Sequence, residues 1–283
     1  MRILLALLCF TGCAGPQHPT LTYLGVAGWS LDTGKQTLLF DPYVTRAPVV
    51  DEDKVLVPNA AAITRFIPAH AKAIVVSHSH YDHVLDVPAI AHRTGAVVFG
   101  TQSTAELARA ASVPETQIAV ASGGEELLFD DFRVRAVRAL HSDIGMENVP
   151  IAPHPQLPLS ARDYKEGNTL QYLVRFGDHT LFFVGTANLI EDQLRDIHAD
   201  IAIVATGMRH KVPDYTCRLL RALGLPKLVF ANHFDAFQEP LNPGHMQLRA
   251  DTQADLAAFK AEVHACAPNT RVVIPTWLKP ITL

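Results

Sequence analysis

Three histidines and an aspartate lie within residues 77–83, which read SHSHYDH. They follow the apolar run at 73–76 (AIVV), which predicts a buried strand that ends where the polar side chains begin. Imidazole nitrogen and carboxylate oxygen suit zinc, iron or manganese, and zinc is the usual choice for hydrolysis. The cluster therefore predicts a metal site on a rigid support.

The spacing inside the cluster supports this prediction. His78 and His80 are two residues apart, so in an extended segment their side chains point the same way. Asp82 and His83 can then reach the other side of the turn. The alternative is a polar surface loop that happens to be rich in histidine, since the chain holds 14 His among 283 residues. Four ligand-type side chains in six positions favour the metal site.

The pattern His-x-His-x-Asp-His resembles the signature of the metallo-β-lactamase superfamily. Other segments resemble that family's remaining site-bearing strands and occur in the expected order: 38–43 (LLFDPY), 137–141 (VRALH), 181–185 (LFFVG) and 229–235 (VFANHFD). The similarity runs from about Thr20 to about Thr276. Within the superfamily the chain is most similar to the ascorbate-phosphate lactonases and the N-acyl-phosphatidylethanolamine phospholipase-D-like metallohydrolases.

The resemblance implies a four-layer αβ/βα sandwich, in which two sheets pack face to face with helices outside. The residue pattern by itself predicts only an α/β protein with many short strands. Helices are predicted at 87–94, 103–111, 189–197, 215–223 and 254–264. The proline-rich segment 142–167 follows His141 and is expected to lie over the metal site, as a functional lid or as a mobile loop.

Carried over residue by residue, the resemblance implies two groups of metal ligands, holding one or two zinc ions, with iron or manganese as alternatives. The first group is His78, His80 and His141, and the second is Asp82, His83 and His233. Without the resemblance, His141 and His233 would be interpreted as isolated surface histidines. Their place after predicted strands is part of the family pattern.

Two further acids are expected to support the ligands. Asp41 would accept the spare N–H of a ligand imidazole, although an Asp before Pro42 is also a common turn residue. Asp235, two residues after His233, is expected to support the structure rather than the chemistry.

Thr186 departs from the family pattern, which places an Asp that bridges two metals at this position. A neutral threonine is a poor ligand and cannot balance two dications. Three interpretations follow: two metals linked only by hydroxide that Thr186 contacts, one strong and one weak metal, or a binding protein without catalysis.

The resemblance implies a metal-dependent hydrolase whose nucleophile is hydroxide formed on the metal at neutral pH. The substrate would be an ester, a lactone or a phosphodiester. Asp82 becomes a candidate general base if the second metal is absent. Four side chains are candidates for protonating the leaving group: His210, Lys211, Tyr164 and His154. The alternative function is a non-catalytic metal- or ligand-binding lipoprotein.

Charge and composition limit the partners. The net charge is −4 and no basic run occurs, which argues against nucleic-acid binding. No internal stretch reaches the ~18 apolar residues that span a bilayer. A small-molecule or lipid-like substrate is expected, and the sequence carries no signal for an oligomeric state.

The N-terminus resembles that of a bacterial lipoprotein. Residues 1–12 would form a signal peptide, Cys13 would carry the lipid, and 13–19 would link it to a domain at 20–283. The protein would then be anchored in the cell envelope, at the outer membrane facing the periplasm. The alternative is a secretory signal cut near Ala14, which would release a soluble periplasmic protein.

Cys217 and Cys266 are the cysteines of the expected mature chain. In an oxidising envelope they could form a disulfide. Two separate thiols buried in different helices are the alternative.

Overall fold

The fold is taken from a computed structural model that describes residues 18–49, 51–145, 147–243 and 245–283. The predicted signal peptide and Cys13 lie outside the described residues. The strands are β1 (Thr20–Gly25), β2 (Gly28–Asp32), β3 (Thr37–Phe40), β4 (Ala73–Val75), β5 (Val97–Gly100), β6 (Ile118–Val120), β7 (Glu126–Leu128), β8 (Phe132–Ala139), β9 (Thr169–Phe176), β10 (His179–Phe183), β11 (Ile201–Ala205), β12 (Leu228–Asn232), β13 (Arg271–Val273) and β14 (Pro280–Thr282).

The helices of the described residues are α1 (Ala60–Phe66), α2 (Tyr81–Val84), α3 (Val87–Thr94), α4 (Gln102–Ala110), α5 (Tyr215–Ala222) and α6 (Ala250–Cys266). Among them none is long and apolar enough to cross a lipid bilayer.

The described strands form two seven-stranded mixed sheets. One has the order β14-β1-β2-β3-β4-β5-β6 and the other β13-β12-β11-β10-β9-β8-β7. In each sheet antiparallel strands lie on one side and parallel strands on the other: β3 to β6 are parallel in the first sheet, and β10 to β13 in the second. Each half of the chain therefore builds one sheet, apart from β14, which returns to the first.

The two sheets pack through aromatic side chains. Phe40 of β3 lies 4.9 Å from Phe183 of β10 between ring centroids, and Trp29 of β2 lies 5.5 Å from Phe230 of β12. In β10 the neighbouring Phe182 belongs to the cluster on the other face of its sheet. This strand is apolar on both faces because each face is covered, as expected for the buried part of a mixed sheet.

Helices cover both outer faces. α3 and α4 contact β5 of the first sheet, and α5 and α6 contact each other outside the second. Leu219 and Phe259 of these last two helices are fully buried in one cluster with Phe182. The α/β class and the sandwich of two sheets between helices are thus confirmed.

Four of the five predicted helices differ from the structure. α5 ends at Ala222 rather than at 223, and α6 spans Ala250–Cys266 rather than 254–264. α4 begins at Gln102 rather than at 103, because the Thr101 side chain accepts a hydrogen bond from Thr104 N and caps the helix. The predicted helix at 189–197 is only a 3₁₀ turn at Glu191–Leu194. Asn188 lies just before this turn, where its amide donates to His141 O at 2.8 Å and its Oδ1 accepts from Leu189 N at 2.9 Å. The bond to His141 O joins the start of the segment at 189–197 to the residues that follow β8.

Cys217 of α5 and Cys266 of α6 form a disulfide, with their Cα atoms 5.6 Å apart. The sequence left this pairing open. The bond joins the two helices that cover the second sheet.

Candidate metal centre

The predicted ligands lie where strands end. The segment after β4 carries the cluster at 77–83, His141 follows β8, and His233 follows β12. Asp82 and His83 lie on the short helix α2, so a turn of helix, rather than extended chain, carries the second half of the cluster. Six separate side chains thereby face one cavity, although up to 155 residues separate them in the sequence (His78 to His233).

The structure brings these side chains together in two groups, each with ligand atoms within 4.8 Å of one another. The groups are His78, His80 and His141, and Asp82, His83 and His233. They coincide with the two groups that the resemblance implies. Their donor sets, three imidazoles in one and two imidazoles with a carboxylate in the other, are those of transition-metal sites.

The first group is arranged to leave imidazole nitrogens free. His78 Nδ1 lies 3.0 Å from Ser77 Oγ, and His141 Nδ1 lies 2.8 Å from Ser142 O. A carbonyl only accepts, so the proton of His141 is on Nδ1 and its Nε2 has a lone pair. His78 Nε2 is buried and has no hydrogen-bond partner among the described residues. A buried polar nitrogen without a partner is costly, and a metal ion would satisfy it.

The imidazoles of this group are neutral at physiological pH. Burial holds the pKa of His78 well below its usual value, with the nearby histidines adding to the effect. Burial also lowers the pKa of His80 to about 4 and that of His141 to about 3. Only a neutral imidazole offers a lone pair to a metal. Protons therefore compete little for this group near pH 7.

The second group is more polar. Asp82 Oδ2 lies 3.6 Å from His83 Nε2 and 3.4 Å from His233 Nε2. Burial by itself would raise the pKa of Asp82, but the two imidazoles hold it well below its usual range. Burial by itself would lower the pKa of His83, but the carboxylates of Asp82 and Asp41 raise it. The carboxylate and its partners thus stabilise one another's charged forms.

Asp41 lies where the sequence places it, directly after β3, and supports this second group. Its Oδ2 is 2.7 Å from His83 Nδ1, and its Oδ1 accepts from Ser77 N at 2.6 Å. Both side chains pack on Gly185: a Cβ there would lie 2.4 Å from Ser77 Oγ and 2.6 Å from Asp41 Oδ2. Sequence reasoning missed Ser77 and Gly185. The only signal was their position at the ends of apolar strands.

Thr186 lines the cavity and is buried. Its Oγ1 accepts from Ser142 N at 3.2 Å and lies 2.8 Å from Ser142 Oγ. It therefore joins the segment after β10 to the segment after β8, beside His141. Neither ligand group includes it, and Asp82 is the sole carboxylate of the two groups.

Asp235 lies outside the cavity lining and anchors the turn that carries His233. Its carboxylate accepts from Val26 N at 2.8 Å, from Trp277 Nε1 at 2.6 Å and from the Arg46 guanidinium at 3.0 Å. His233 has a left-handed backbone (φ 53°), and its N–H donates to Val26 O at 2.8 Å. This buried network holds a strained ligand position in place.

The ligands face a cavity of about 960 Å³. Its further walls come from three short groups of residues together with Phe237 and Gln238. These groups are Val49, Asp51 and Glu52; Ser142, Ile144, Ala161, Arg162, Tyr164 and Lys165; and Ala205, Gly207 and Met208. Of the four proton-donor candidates, Tyr164 lines the cavity, whereas His154, His210 and Lys211 do not. Of the segment expected to lie over the ligands, the two ends line the cavity, through Ser142 and Ile144 and through four residues between Ala161 and Lys165.

This segment is hydrogen-bonded to its surroundings. Leu159 O accepts from Leu56 N at 2.9 Å, and Ile151 N donates to Ser103 Oγ at 2.9 Å. At its end, Glu166 O accepts from Ser79 N at 2.9 Å, inside the histidine cluster. The segment is a wall tied to the ligand loop rather than a free lid.

Comparison with known proteins gives a family match over most of the chain. Residues 36–263 match the family described as "Beta-lactamase superfamily domain". A UPF0173 metal-dependent hydrolase of Heliobacterium modesticaldum is 25% identical over 274 residues, which cover 90% of this chain and 97% of the relative.

Solved structures share the fold at lower identity. Igni18, a metallo hydrolase from Ignicoccus hospitalis, gives a TM-score of 0.61 at 18% identity, covering 94% of this chain and 99% of that chain. CmlA, a diiron β-hydroxylase from Streptomyces venezuelae, gives 0.61 at 14% identity, covering 95% of this chain and 55% of that chain.

Proposed function

Since this chain belongs to the metallo-β-lactamase superfamily, we propose that it is a metal-dependent hydrolase acting on an ester, a lactone or a phosphodiester. One observation carries the proposal: His78 Nε2 is buried and unpartnered where two other imidazoles converge, at the base of a cavity large enough for a small molecule. Relatives named metal-dependent hydrolases support it.

The side chains fit a metal in named roles. His78, His80 and His141 would hold one ion, and Asp82, His83 and His233 a second. A metal in such a site lowers the pKa of water and polarises a C=O or P=O bond. Zinc fits the histidine-rich donors, and iron or manganese fits the group that contains Asp82. The similarity to a diiron β-hydroxylase supports iron as the alternative metal.

The chain's own residues would prepare the site. Asp41 holds His83 so that its Nε2 faces Asp82, and Ser142 O holds His141 in the matching tautomer. Asp82 is the candidate general base when no ion occupies its group. Its lowered pKa keeps it ionised but makes it a weak base. Tyr164 lies in the wall as a hydroxyl donor to the substrate, and burial raises the pKa of its phenol.

The proposed branch within the superfamily is that of the lactonases and phospholipase-D-like enzymes, which the sequence resembles. The cavity supports a substrate with apolar parts, because Val49, Ile144, Met208 and Phe237 line it. A lipid-like or small organic ester fits such walls better than a nucleic acid does, because the chain has no basic run to attract phosphates.

The proposed location is the cell envelope, with Cys13 lipidated after removal of residues 1–12 and the domain facing the periplasm. The disulfide between Cys217 and Cys266 supports an oxidising compartment. It supports a soluble periplasmic form equally. A Cys13→Ser variant that stayed with the membrane fraction would exclude the lipid anchor.

Thr186 favours a second candidate, a metal- or ligand-binding lipoprotein without catalysis. With Asp82 as the only carboxylate among the two ligand groups, charge compensation for two dications is weak. Metal content distinguishes the candidates first: clearly substoichiometric zinc, iron and manganese in the purified protein would favour the binding protein.

The activity test uses chromogenic esters, lactones and aryl phosphodiesters with the metal-loaded protein. We expect His80→Ala to abolish turnover and to lower bound metal, and His70→Ala, an exposed histidine outside the cavity, to leave both unchanged. Turnover that survives His80→Ala would place the activity at a different site.

A further inference from the structure

Lys165 is a cation in the cavity wall that has no role so far. It lines the cavity and is half-buried. Among the described residues no carboxylate lies within ion-pair distance of it, whereas Arg162, the other cation of the lining, pairs with Asp53 at 2.7 Å. Lysines are mostly exposed, and removal from water is costly without a counter-charge. Asp163, an exposed carboxylate two residues earlier, feels the charge of Lys165 but forms no ion pair with it. Lys165 is thus the cation of the lining without an ion-pair partner among the described residues.

The backbone on both sides of Lys165 is fixed. Arg162 N donates to Glu52 O at 3.0 Å, and Glu166 O accepts from Ser79 N at 2.9 Å. Ser79 lies between the ligands His78 and His80. The residue that follows Lys165 is therefore hydrogen-bonded directly to the histidine cluster. Its charge also acts on the His80 imidazole. The backbone that carries the cation is therefore fixed beside the first ligand group.

The negative groups of the lining do not cancel this charge. Asp51 and Glu52 are exposed, so solvent and salt screen them. Asp82 is already engaged by His83 and His233. None of the three carboxylates of the lining is therefore paired with Lys165.

Apolar side chains make up another part of the same cavity. Val49, Ile144, Met208 and Phe237 line it, and Ile144 and Met208 remain 36% and 37% exposed. Exposed apolar side chains around a cavity favour an apolar ligand that covers them. The cavity therefore combines a fixed cation near the ligands with apolar walls.

We propose that Lys165 binds an anionic group of the substrate, a carboxylate or a phosphate, and that the substrate is an amphiphilic anion with an apolar chain. This inference rests on the proposed hydrolase function and names its substrate class. Lys165 is then a specificity-determining residue, which forms a charge-assisted hydrogen bond to the anion. The apolar walls of the cavity contact the apolar chain of the substrate.

The test compares two esters that differ in one charge: the 4-nitrophenyl monoester of glutaric acid and 4-nitrophenyl pentanoate. For Lys165→Met we expect kcat/KM to fall about tenfold on the anionic ester and to change less than about twofold on the neutral one. Lys165→Arg should retain most of the activity on the anionic ester. Lys54→Met, an exposed lysine outside the cavity lining, is the control and should behave like the wild type.

A binding measurement separates this inference from the hydrolase proposal. Calorimetry with decanoate and decanol on the purified metal-loaded protein should show tighter binding of decanoate, and Lys165→Met should weaken decanoate binding about fivefold or more. Equal losses on both esters, or decanoate binding that is unchanged in Lys165→Met, would overturn the inference. If the wild type hydrolyses neither ester, the result contradicts the proposed esterase activity. The decanoate measurement still decides whether Lys165 binds an anionic group.

Discussion

Asp41 Oδ2 lies 2.7 Å from His83 Nδ1, and both side chains are fully buried. Asp41 also accepts two hydrogen bonds from Ser77, from its N–H and its hydroxyl. The carboxylate therefore connects Ser77, at the start of the histidine cluster, with His83 at its end. It also sets the tautomer of His83 without belonging to either ligand group.

Asp41→Asn should weaken metal binding. An asparagine amide can donate to His83 Nδ1, which moves the imidazole proton to Nε2, the atom that faces Asp82. Loss of such a support typically costs about 10–100-fold in metal affinity. Chelator competition measures this affinity, with the exposed Asp178→Asn as control. Unchanged affinity would show that Asp41 is only a turn residue.

Thr186→Asp should strengthen binding of the less tightly held metal. It adds a second carboxylate to a cavity in which the ligand groups contain one, and we expect a gain of about tenfold in affinity. Metal analysis after dialysis against a chelator gives the ratio of metal to protein. Thr186→Val removes the hydroxyl without adding charge and should not raise that ratio. No gain for the aspartate would exclude Thr186 as the cause of weak binding.

Removing the disulfide should destabilise the protein. A bond between cysteines 49 residues apart contributes about 2–4 kcal/mol by restricting the unfolded chain. The double variant Cys217→Ser/Cys266→Ser should therefore have its unfolding midpoint at a lower urea concentration than the wild type. Reductant should lower the midpoint of the wild type to that of the variant and leave the variant unchanged. Identical midpoints without reductant would contradict the prediction.

Asp86 should make stability depend on pH. Burial raises its pKa to about 6 despite hydrogen bonds from Val44 N and from the N–H and hydroxyl of Thr45. The folded state then binds the proton more tightly than the unfolded chain. The stability that this proton contributes is complete below about pH 4 and is lost as pH rises through about 6.

The variant Asp86→Asn should lose this dependence, since its amide does not titrate and keeps the side-chain shape. Between pH 4 and pH 7.5 the free energy of unfolding of the variant should rise relative to the wild type by about 2–3 kcal/mol. Urea unfolding across this range measures the difference. A difference that is constant with pH would show that Asp86 titrates normally in the folded protein.

The local part of the site could be predicted from the sequence. Buried strands followed by ligand-type residues are short-range patterns, so the apolar run at 73–76 predicts β4, and the polar cluster at 77–83 follows it as predicted. The grouping of His141 and His233 with this cluster came from the family resemblance. Their own neighbours in the sequence carry no such signal.

Other features depend on contacts between distant residues. Pairing of Cys217 with Cys266 requires the packing of α5 on α6, and periodicity within each helix does not specify it. The position of Lys165 depends on the bond from Ser79 N to Glu166 O, which joins backbone atoms and leaves no mark on residue type. The contact of Asn188 with His141 O, just before the 3₁₀ turn that replaces the predicted helix at 189–197, likewise joins distant residues.

The bond between Ser79 N and Glu166 O also bears on how this enzyme family could diversify. A change in loop length near residue 166 would pull on the backbone between two histidines, so selection should disfavour insertions there. New specificities would then arise by exchange of side chains at positions such as 162 and 165 on an unchanged backbone. Sequence variation among close homologues should accordingly appear as substitutions, rather than gaps, in this part of the wall.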